Sequence, residues 1–374
     1  MTAQDSPVRL LPRAAFAGLV VLLAVLLALP ADAQQRRRIF IVDSYDRGYL
    51  WSQSTHRGVV RAMMDYGYLA TEAQAGALLR DDGVSSDKVV IEKAWMDTKR
   101  RNSRRHLAEA TRDIMARIAD FKPDLVLLGD DNATNFIGNR LLDSEVPVVF
   151  WGVNGLPLKY GLVDSMDNPG HNVTGVWQSG YHKESLEFLS RLVPQARTFA
   201  ILASDSVTAR ANVKQIQHLA RGGKLPMRLV DTVITRSFSE FKARALDLAS
   251  RVDAFFVVNH DTLVDENNRH VDMLTVGRWY LTNIRKPEAS HEDQFVREGM
   301  LLTANDSGFN QGYRAFEMAY DILEQGLNPS RMRTVTPQRG PLMINRQRAR
   351  MLGIAIEGAD YIDQIVDEAL ALNE

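Results

Sequence analysis

The chain has 374 residues, of which 45% are hydrophobic and 24% are charged, and its formal net charge at pH 7 is -1. This is a globular composition with enough chain for about two domains, and the near-neutral charge balance gives no electrostatic basis for a nucleic-acid partner. The lack of cysteine excludes disulfides, thiolate metal sites, a cysteine nucleophile and lipidation of an N-terminal cysteine.

The N-terminal segment has the pattern of an export signal. Arg9 and Arg13 precede an apolar run over 14–29, and the following PADA supplies an A-x-A cleavage pattern. We therefore predict a cleaved signal peptide over residues 1–33 and a periplasmic mature protein that is not a lipoprotein. An uncleaved N-terminal anchor is the alternative, because the apolar run is only just shorter than the ~17 residues that span a bilayer.

Short apolar runs alternate with amphipathic segments along the rest of the chain. Strands that alternate with helices predict parallel sheets with helices on both faces. A Pro/Gly-rich segment over 156–172 divides the chain into two runs of similar size, which predicts two lobes. Within the first run the pattern predicts a strand at 70–79, and at the end of the second run it predicts a final helix at 359–372.

Polar and aromatic residues follow the predicted strands, where open α/β sheets bind ligands. The stretch 123–154 is the densest example, because three polar residues follow one buried strand and an indole and an amide follow the next. Asp130 or Asp131 could instead cap the helix that follows. The predicted cleft residues are Ser44, Tyr45, Trp51, Asp130, Asp131, Asn132, Trp151, Asn154, Trp177, Asp205, His260, Asp261, Glu292 and Asp306, with Asp293 and Asn305 beside the last two.

The chemistry of this set predicts the kind of ligand. It is rich in acceptors and aromatic faces and contains no lysine or arginine. Carboxylates match ammonium groups and aromatic walls hold rings or cations, so we predict a small ligand with a cationic or hydrogen-donating group and a flat apolar body. N–H groups at helix N-termini would hold a ligand carboxylate.

Motifs for catalysis and cofactors are missing from the sequence. It contains no G-x-S-x-G, H-E-x-x-H, P-loop or G-x-G-x-x-G pattern, and its histidines form no i, i+4 pair. His260 is more consistent with a hydrogen-bonding residue of the cleft than with a catalytic base. We therefore predict a protein that is not an enzyme and that has no metal site and no cofactor.

Several segments resemble the ABC-transporter substrate-binding protein family, over about residues 38–354. They are IFIVDSYDRGYLWS, GDDNATNF, VPVVFWGVNG, FNQGYRAFEMAYDILEQG and PLMINRQRARMLGI. The resemblance implies a periplasmic-binding-protein fold of the first type, with two Rossmann-like lobes, a hinge of several crossovers and a ligand trapped between the lobes. It implies that a helix near 309–325 returns to the first lobe and a strand near 341–345 to the second.

The domain organisation expected from these observations has four parts. They are a signal peptide at 1–33, lobe 1 at 34–155 with about 306–328, lobe 2 at 156–305 with about 329–354, and a C-terminal helix at 355–374.

The resemblance also implies a role. The sequence is similar both to the TrpX-like branch, whose members bind aromatic amino acids, and to extracytoplasmic sensor domains. It implies a solute-binding protein of an ABC-type uptake system that holds an amino-acid-like, amine or aromatic ligand and works with a membrane permease. The alternative is a sensor protein that reports ligand occupancy to a membrane kinase or cyclase. We expect no nucleic-acid partner and a monomer or weak dimer.

Overall fold

The computed structural model describes residues 36–373, and the predicted signal peptide lies outside them. Two sheets form the framework of one unit that begins at Arg37. Within the described residues we find no helix that is both long and apolar enough to cross a bilayer.

The first sheet has six strands in the order β2-β3-β1-β4-β5-β6. All neighbours are parallel except β2 and β3. The strands are β1 (Arg37–Asp43), β2 (Gly83–Ser85), β3 (Val89–Trp95), β4 (Leu125–Gly129), β5 (Val148–Asn154) and β6 (Val173–Gln178). Every residue of β4 and β5 is buried, as expected for strands covered on both faces.

The second sheet has seven strands in the order β13-β12-β11-β10-β9-β7-β8. Its one antiparallel pair joins β11 and β12. The strands are β7 (Thr198–Ser204), β8 (Arg228–Thr235), β9 (Ala254–Val257), β10 (Glu288–Ser290), β11 (Leu302–Ala304), β12 (Leu342–Asn345) and β13 (Gln364–Val366). Both sheets are therefore mostly parallel, with one antiparallel pair each that the sequence pattern does not predict.

Helices cover the sheets, and most begin at a side-chain cap. In the first half these are α1 (Leu50–Asp65), α2 (Glu72–Arg80), α3 (Arg104–Phe121), α4 (Asp130–Ala133), a π-helical turn (Thr134–Gly138) and α5 (Asn139–Leu141). The remainder are α6 (His182–Leu192), α7 (Val207–Arg221), α8 (Phe238–Ala249), α9 (Met273–Asn283), α10 (Asp293–Glu298), α11 (Gly308–Gln325) and α12 (Arg346–Leu352). Short 3-10 turns lie at Pro157–Tyr160, Pro329–Arg331 and Leu370–Leu372.

The strand predicted at 70–79 is wrong, because this segment forms α2. Two side-chain hydrogen bonds start the helix: the N-cap Thr71 accepts through Oγ1 from the Gln74 N–H at 3.2 Å, and Gln74 Oε1 accepts from the Ala70 N–H at 2.8 Å. The first satisfies a donor that the helix N-terminus leaves free, and the second holds the residue before the cap against the first turn. Local cap chemistry thus outweighs the run of apolar residues.

The C-terminal helix predicted at 355–374 is also wrong. Gln364–Val366 instead adds a parallel strand to β12, at the edge of the second sheet. Asp363 fixes the start of this pairing, because its Oδ2 accepts from the Leu342 N–H at 2.7 Å while its own N–H donates to the Leu342 carbonyl at 3.0 Å. Because the side chain and the backbone N–H of Asp363 both bind Leu342 of the neighbouring strand, this part of the chain is held extended and cannot form a helix.

The chain passes between the two sheets three times, after β6, after β11 and before β12. Between the last two passages, α11 packs on α1, β5 and β6 of the first sheet. The second lobe cannot begin at residue 156 as predicted, because Val173–Gln178 pairs with β5 of the first sheet. We use lobe 1 for the first sheet with its helices and α11, and lobe 2 for the second sheet with its helices.

Two glycines allow α1 and α11 to cross at close range. A Cβ on Gly58 would lie 2.0 Å from the Phe309 carbonyl oxygen, and a Cβ on Gly312 would lie 2.0 Å from the Thr55 carbonyl oxygen. Because both obstacles are backbone atoms, a side chain at either position forces the helices apart.

We expect Gly312→Ala to lower the free energy of unfolding by about 1–3 kcal/mol, the usual cost of overpacking. Chemical denaturation followed by circular dichroism measures this. Gly76→Ala is the matched control, since a Cβ there meets only the mobile Arg80 side chain and alanine favours a helix over glycine. Equal stability of the two variants would contradict the close helix crossing.

Candidate functional site

The strand ends of the two lobes meet across a closed cleft. Tyr45 Oη and Thr208 Oγ1 lie 3.3 Å apart, and Asn212 Nδ2 donates to Asn154 Oδ1 at 3.0 Å. In each pair the first-lobe residue follows or ends a strand of the first sheet, and its partner lies in the first turns of α7. The surface between the lobes is therefore a polar layer whose side chains are buried by the partner lobe.

Asp130, next to this layer in lobe 1, has one hydrogen-bond partner among the described residues. It is 1% exposed, and its φ of +67° places a non-glycine residue in the left-handed region at the start of α4. Trp51 Nε1 donates to its Oδ1 at 2.8 Å, whereas Oδ2 has no hydrogen-bond partner among the described residues. Burial, together with the nearby carboxylates of Asp43 and Asp131, raises the pKa of Asp130 well above its ordinary value.

Glycine at position 152 makes room for that carboxylate. Gly152 has a φ of +70°, and a Cβ there would lie 2.5 Å from Asp130 Oδ1. The backbone of β5 thus approaches the Asp130 side chain more closely than any residue with a side chain permits. A buried, strained and incompletely bonded carboxylate is a common feature of ligand sites.

Asp131 has a different environment, because its oxygens are fully used. Oδ1 accepts from Lys159 Nζ at 2.9 Å and from the Tyr160 hydroxyl at 2.6 Å. Oδ2 accepts from Asn154 Nδ2 at 2.9 Å and from Thr208 Oγ1 of lobe 2 at 3.4 Å. Asp131 therefore organises the loop that follows β5 and contacts lobe 2 directly.

Neither aspartate caps the helix that follows β4. The cap position is Gly129, and no side chain accepts a hydrogen bond there. The capping role that the sequence left open for Asp130 or Asp131 is therefore not seen. The helix itself is irregular, since Thr134–Gly138 forms a π-helical turn of the kind often found near functional sites.

Asp261 of lobe 2 reaches two donors of lobe 1. Its Oδ2 lies 2.9 Å from Lys99 Nζ and accepts a hydrogen bond from the Tyr49 hydroxyl, while Oδ1 has no partner within the described chain. Burial opposes ionisation, but the Lys99 ammonium and the Tyr49 hydroxyl prevail and lower the pKa of Asp261. This residue is thus ionised and joined to lobe 1 in the closed form.

Glu292 completes the acidic side of lobe 2. It is 3% exposed; Gln294 Nε2 donates to its Oε2 at 2.6 Å, and His291 Nε2 lies 3.2 Å from its Oε1. Gln294 also donates to the Tyr49 hydroxyl at 3.2 Å. The predicted residues Tyr45, Asp131, Asn154, Asp261 and Glu292 are therefore all brought to the contact between the lobes, and Asp130 lies next to Asp131 on the lobe 1 side of it.

Other predicted site residues lie elsewhere. Trp151 packs in the core of lobe 1, because β5 continues to Asn154 instead of ending at residue 150 as predicted, and the ring lies against Gly129. Trp177 is the second-last residue of β6, before the first passage between the sheets, and it is partly buried against the core on the other face of the first sheet. Asp205 is 38% exposed and pairs with Arg210 on the surface of lobe 2.

His260 and Asp306 are buried within supporting structure. His260 Nε2 lies 2.7 Å from Glu298 Oε1, inside lobe 2, and both side chains are fully buried. Asp306 accepts from the Gly180 N–H at 2.7 Å and from Gln311 Nε2 at 3.1 Å, at the passages between the lobes. Burial raises the pKa of Asp306 to about 6, despite these hydrogen bonds.

Ser44, Asn132 and Trp51 position the neighbours of the cleft. Ser44 Oγ donates to the Gly129 carbonyl at 2.6 Å and accepts from the Ala133 N–H at 2.8 Å, so it joins β4 to α4. Asn132 Nδ2 donates to Thr98 Oγ1 at 2.8 Å. Trp51 orients Asp130 through its indole N–H.

The sequence interpretation missed both lysines of the cleft. Lys99 follows β3 and Lys159 follows β5, and neither is among the predicted cleft residues, a set that contains no lysine or arginine. Lys99 could have been identified from sequence by considering the residues that follow β3 in the same way as those that follow the other strands. Thr208 and Asn212 were also missed. The sequence feature that identifies them is their spacing, because polar residues at i and i+4 in the first turns of a helix that follows a strand lie on one face of that helix.

Within residues 36–373 no group of three or more His, Cys, Asp or Glu side chains is arranged to hold a metal ion. The histidines near the cleft contact amide or carboxylate groups through Nε2, as His182 does with Asn212 Oδ1 at 3.1 Å and His291 with Glu292 Oε1 at 3.2 Å.

Comparison with known proteins identifies the family. The model of the family described as ABC transporter substrate binding protein matches residues 80–363. The chain belongs to this family. Its members are substrate-binding proteins rather than enzymes, and they serve ABC transporters outside the cytoplasm. The family predicted from sequence is therefore confirmed. The alternative of a sensor protein is not favoured.

A curated relative and two solved structures are similar to the chain. The relative is the tyrosine-binding protein of Clostridioides difficile (strain R20291), 24% identical over 257 residues, which are 68% of this chain and 70% of that protein. One structure is the ABC domain from Streptococcus pneumonia in complex with L-Trp, with a TM-score of 0.68 and 19% identity over 89% of this chain and all of that one. The other is the ligand-free, open structure of a substrate-binding protein with adhesive properties from Clostridium difficile, with a TM-score of 0.64 and 18% identity over the same shares. These likenesses confirm the predicted two-lobed periplasmic-binding-protein fold.

Proposed function

We propose that this substrate-binding protein traps a free aromatic amino acid, or a closely related aromatic amine, between its two lobes. The observation that carries the proposal is the buried Asp130 carboxylate, whose Oδ2 has no partner among the described residues. A buried carboxylate without a counter-charge is unfavourable, and an ammonium group supplies both the charge and the hydrogen bond that it needs.

The surroundings of Asp130 support a ligand with a ring. Trp51, Tyr45 and Tyr49 form one buried cluster with Met273 of lobe 2, so aromatic faces and a thioether lie beside the carboxylates. Aromatic clusters with a few fixed polar groups are typical of small-molecule sites. The tyrosine-binding relative and the L-Trp complex are consistent with this ligand class.

A carboxylate on the ligand would find positive potential at α7. This helix has 15 residues, and Thr208 in its first turn lies at the contact with Tyr45 and Asp131 of lobe 1. Helix N-termini attract anions through free N–H groups and the helix dipole. Ammonium at Asp130 and carboxylate toward α7 would place one amino acid across both lobes, which explains why its binding would favour closure.

The proposed location and assembly of the protein follow from its family and from the export-signal pattern of its N-terminal sequence. We propose that it acts in the periplasm after removal of residues 1–33, without a lipid anchor, and that it meets a membrane permease as a monomer or weak dimer. It would act by binding alone, without turnover of its ligand.

Isothermal titration of the ligand-stripped protein tests the ligand class. We expect L-tyrosine or L-tryptophan to bind and to raise the melting temperature. The matched control is 3-(4-hydroxyphenyl)propionate, which keeps the ring and carboxylate of tyrosine but lacks the ammonium group and should not bind. Equal affinity for tyrosine and this analogue would contradict the proposal, as would tight binding of a sugar in place of any amino acid.

A further inference from the structure

The cleft contains a second site suited to an ammonium group, and a side chain of the protein fills it. Lys99 is only 5% exposed, and its Nζ lies 4.3 Å from the ring centroid of Tyr45 and 5.0 Å from that of Tyr49. The two rings meet edge to face, with centroids 4.9 Å apart. On its remaining side the ammonium lies 2.9 Å from Asp261 Oδ2 of lobe 2.

Two aromatic faces and a carboxylate are the groups that proteins use to hold organic ammonium ions. We define Tyr45, Tyr49 and Asp261 as the ammonium cage. Lobe 1 contributes the rings together with Lys99, and lobe 2 contributes the carboxylate, so the cage is complete only when the lobes are closed. Tyr49, Lys99 and Asp261 line a cavity of about 310 Å³ with Met273 and Leu274. Tyr45 and Lys99 also lie close enough to Asp130 to interact with its carboxylate electrostatically, so the cage neighbours the proposed ligand site.

Because Lys99 already occupies the cage, a ligand with a second cationic group meets a buried like charge there. The repulsion between two ammonium groups a few ångströms apart is large where water is excluded, and it falls off only slowly with distance in such surroundings. A ligand with one ammonium group and a neutral ring avoids this repulsion, since its charge is met at Asp130.

We propose that Lys99 is a specificity-determining residue that fills the ammonium cage and so excludes ligands with a second cationic group, such as diamines and amino acids with a cationic side chain. This inference rests on the proposed function, since it concerns which amino acids and amines the same cleft admits. In this inference Asp130 attracts the ammonium group of the correct ligand, and Lys99 repels ligands that carry a second cationic group. Specific binding sites commonly combine an attractive and a repulsive element in this way.

Chemical rescue tests the cage without the natural ligand. Lys99→Ala removes the atoms of a propylammonium ion, so n-propylammonium chloride at millimolar concentration should raise the melting temperature of this variant by several degrees. The wild-type protein and Lys183→Ala, an exposed lysine paired with Glu187, should not respond. n-Propanol, which lacks the charge, should fail to rescue, and so should n-propylammonium on the double variant Lys99→Ala/Asp261→Asn.

A second measurement tests the specificity. The ratio of the Kd for 4-(aminomethyl)phenylalanine to the Kd for tyrosine should fall by about tenfold or more in Lys99→Ala relative to the wild-type protein. Lys99→Met, which keeps most of the length of the side chain without its charge, gives the same comparison if the alanine variant does not fold. An unchanged ratio in both variants, or rescue by propanol equal to that by propylammonium, would overturn the inference. If the wild-type protein binds no aromatic amino acid but the rescue succeeds, the proposed function fails and the ammonium cage stands.

Discussion

Replacing Asp130 with asparagine is expected to weaken the binding of an aromatic amino acid by about 2–5 kcal/mol, the usual effect of truncating one partner of a buried charge pair. This corresponds to roughly 30- to 4,000-fold in Kd. Asparagine keeps an oxygen for the Trp51 N–H but offers no charge to the ligand. Isothermal titration measures the change. Asp205→Asn is the matched control, because Asp205 also follows a strand but pairs with Arg210 at the surface.

The same substitution should make the ligand-free protein more stable at neutral pH. The folded-state pKa of Asp130 is raised, so its contribution to stability is full below its unfolded value near 3.8 and is lost as the pH rises through the folded value. Asparagine resembles the protonated acid and should not show this loss. Denaturation from pH 4 to pH 8 should therefore reveal a decline in the wild-type protein that is smaller in Asp130→Asn.

Ligand binding should show the opposite dependence on pH. An ammonium ion needs the ionised carboxylate, so wild-type affinity should fall as the pH is lowered through the raised pKa of Asp130, and binding should release a proton. Titration in buffers of different ionisation enthalpy detects that proton. Unchanged affinity in Asp130→Asn at every pH would remove Asp130 from the site.

Breaking the buried ion pair of lobe 2 should have the largest effect on stability. Arg348 and Glu288 are both fully buried, and Arg348 Nε lies 2.9 Å from Glu288 Oε1. The guanidinium also donates to the carbonyls of Leu281 at 3.1 Å and Ile284 at 2.9 Å, while Glu288 Oε1 accepts from the Leu301 N–H at 2.8 Å. The pair thus ties α9, β10 and the segment before β11 to α12.

We expect Arg348→Met to lower the free energy of unfolding by about 3–5 kcal/mol, because the substitution leaves the Glu288 carboxylate buried without a counter-charge. Glu288→Gln in the same chain should recover part of this loss. A double-mutant cycle by chemical denaturation measures the coupling. Strict additivity of the two substitutions would show that the ion pair does not contribute as a pair.

The fold could be predicted from sequence because its pattern is repeated many times. Buried apolar runs such as Leu125–Leu128 alternate with amphipathic helices, and each repeat independently favours a parallel sheet. Errors occur where one local contact decides the structure. Thr71 and Gln74 start a helix through their caps, and Asp363 starts an edge strand through one carboxylate.

The site could be predicted only in part, because strand ends locate the cleft but do not determine which side chains face it. Asp130 and Asp131 are adjacent, yet only the contacts of Lys159 and Tyr160 with Asp131 distinguish a saturated carboxylate from an incompletely bonded one. Trp151 lies in the core because β5 is longer than its apolar run. Lys99 becomes buried through contact with lobe 2, which no local pattern encodes.

The return of α11 to lobe 1 has a consequence for the order in which the parts of the protein fold. The strands of lobe 1 lie within residues 37–178, but the helix that covers α1, β5 and β6 is found at Gly308–Gln325, after most of lobe 2. Contacts of such long sequence separation form slowly, since a large loop must close first. Lobe 1 is therefore begun first during synthesis but cannot be completed until α11 has been made, and until then it exposes the apolar surface that α11 will cover.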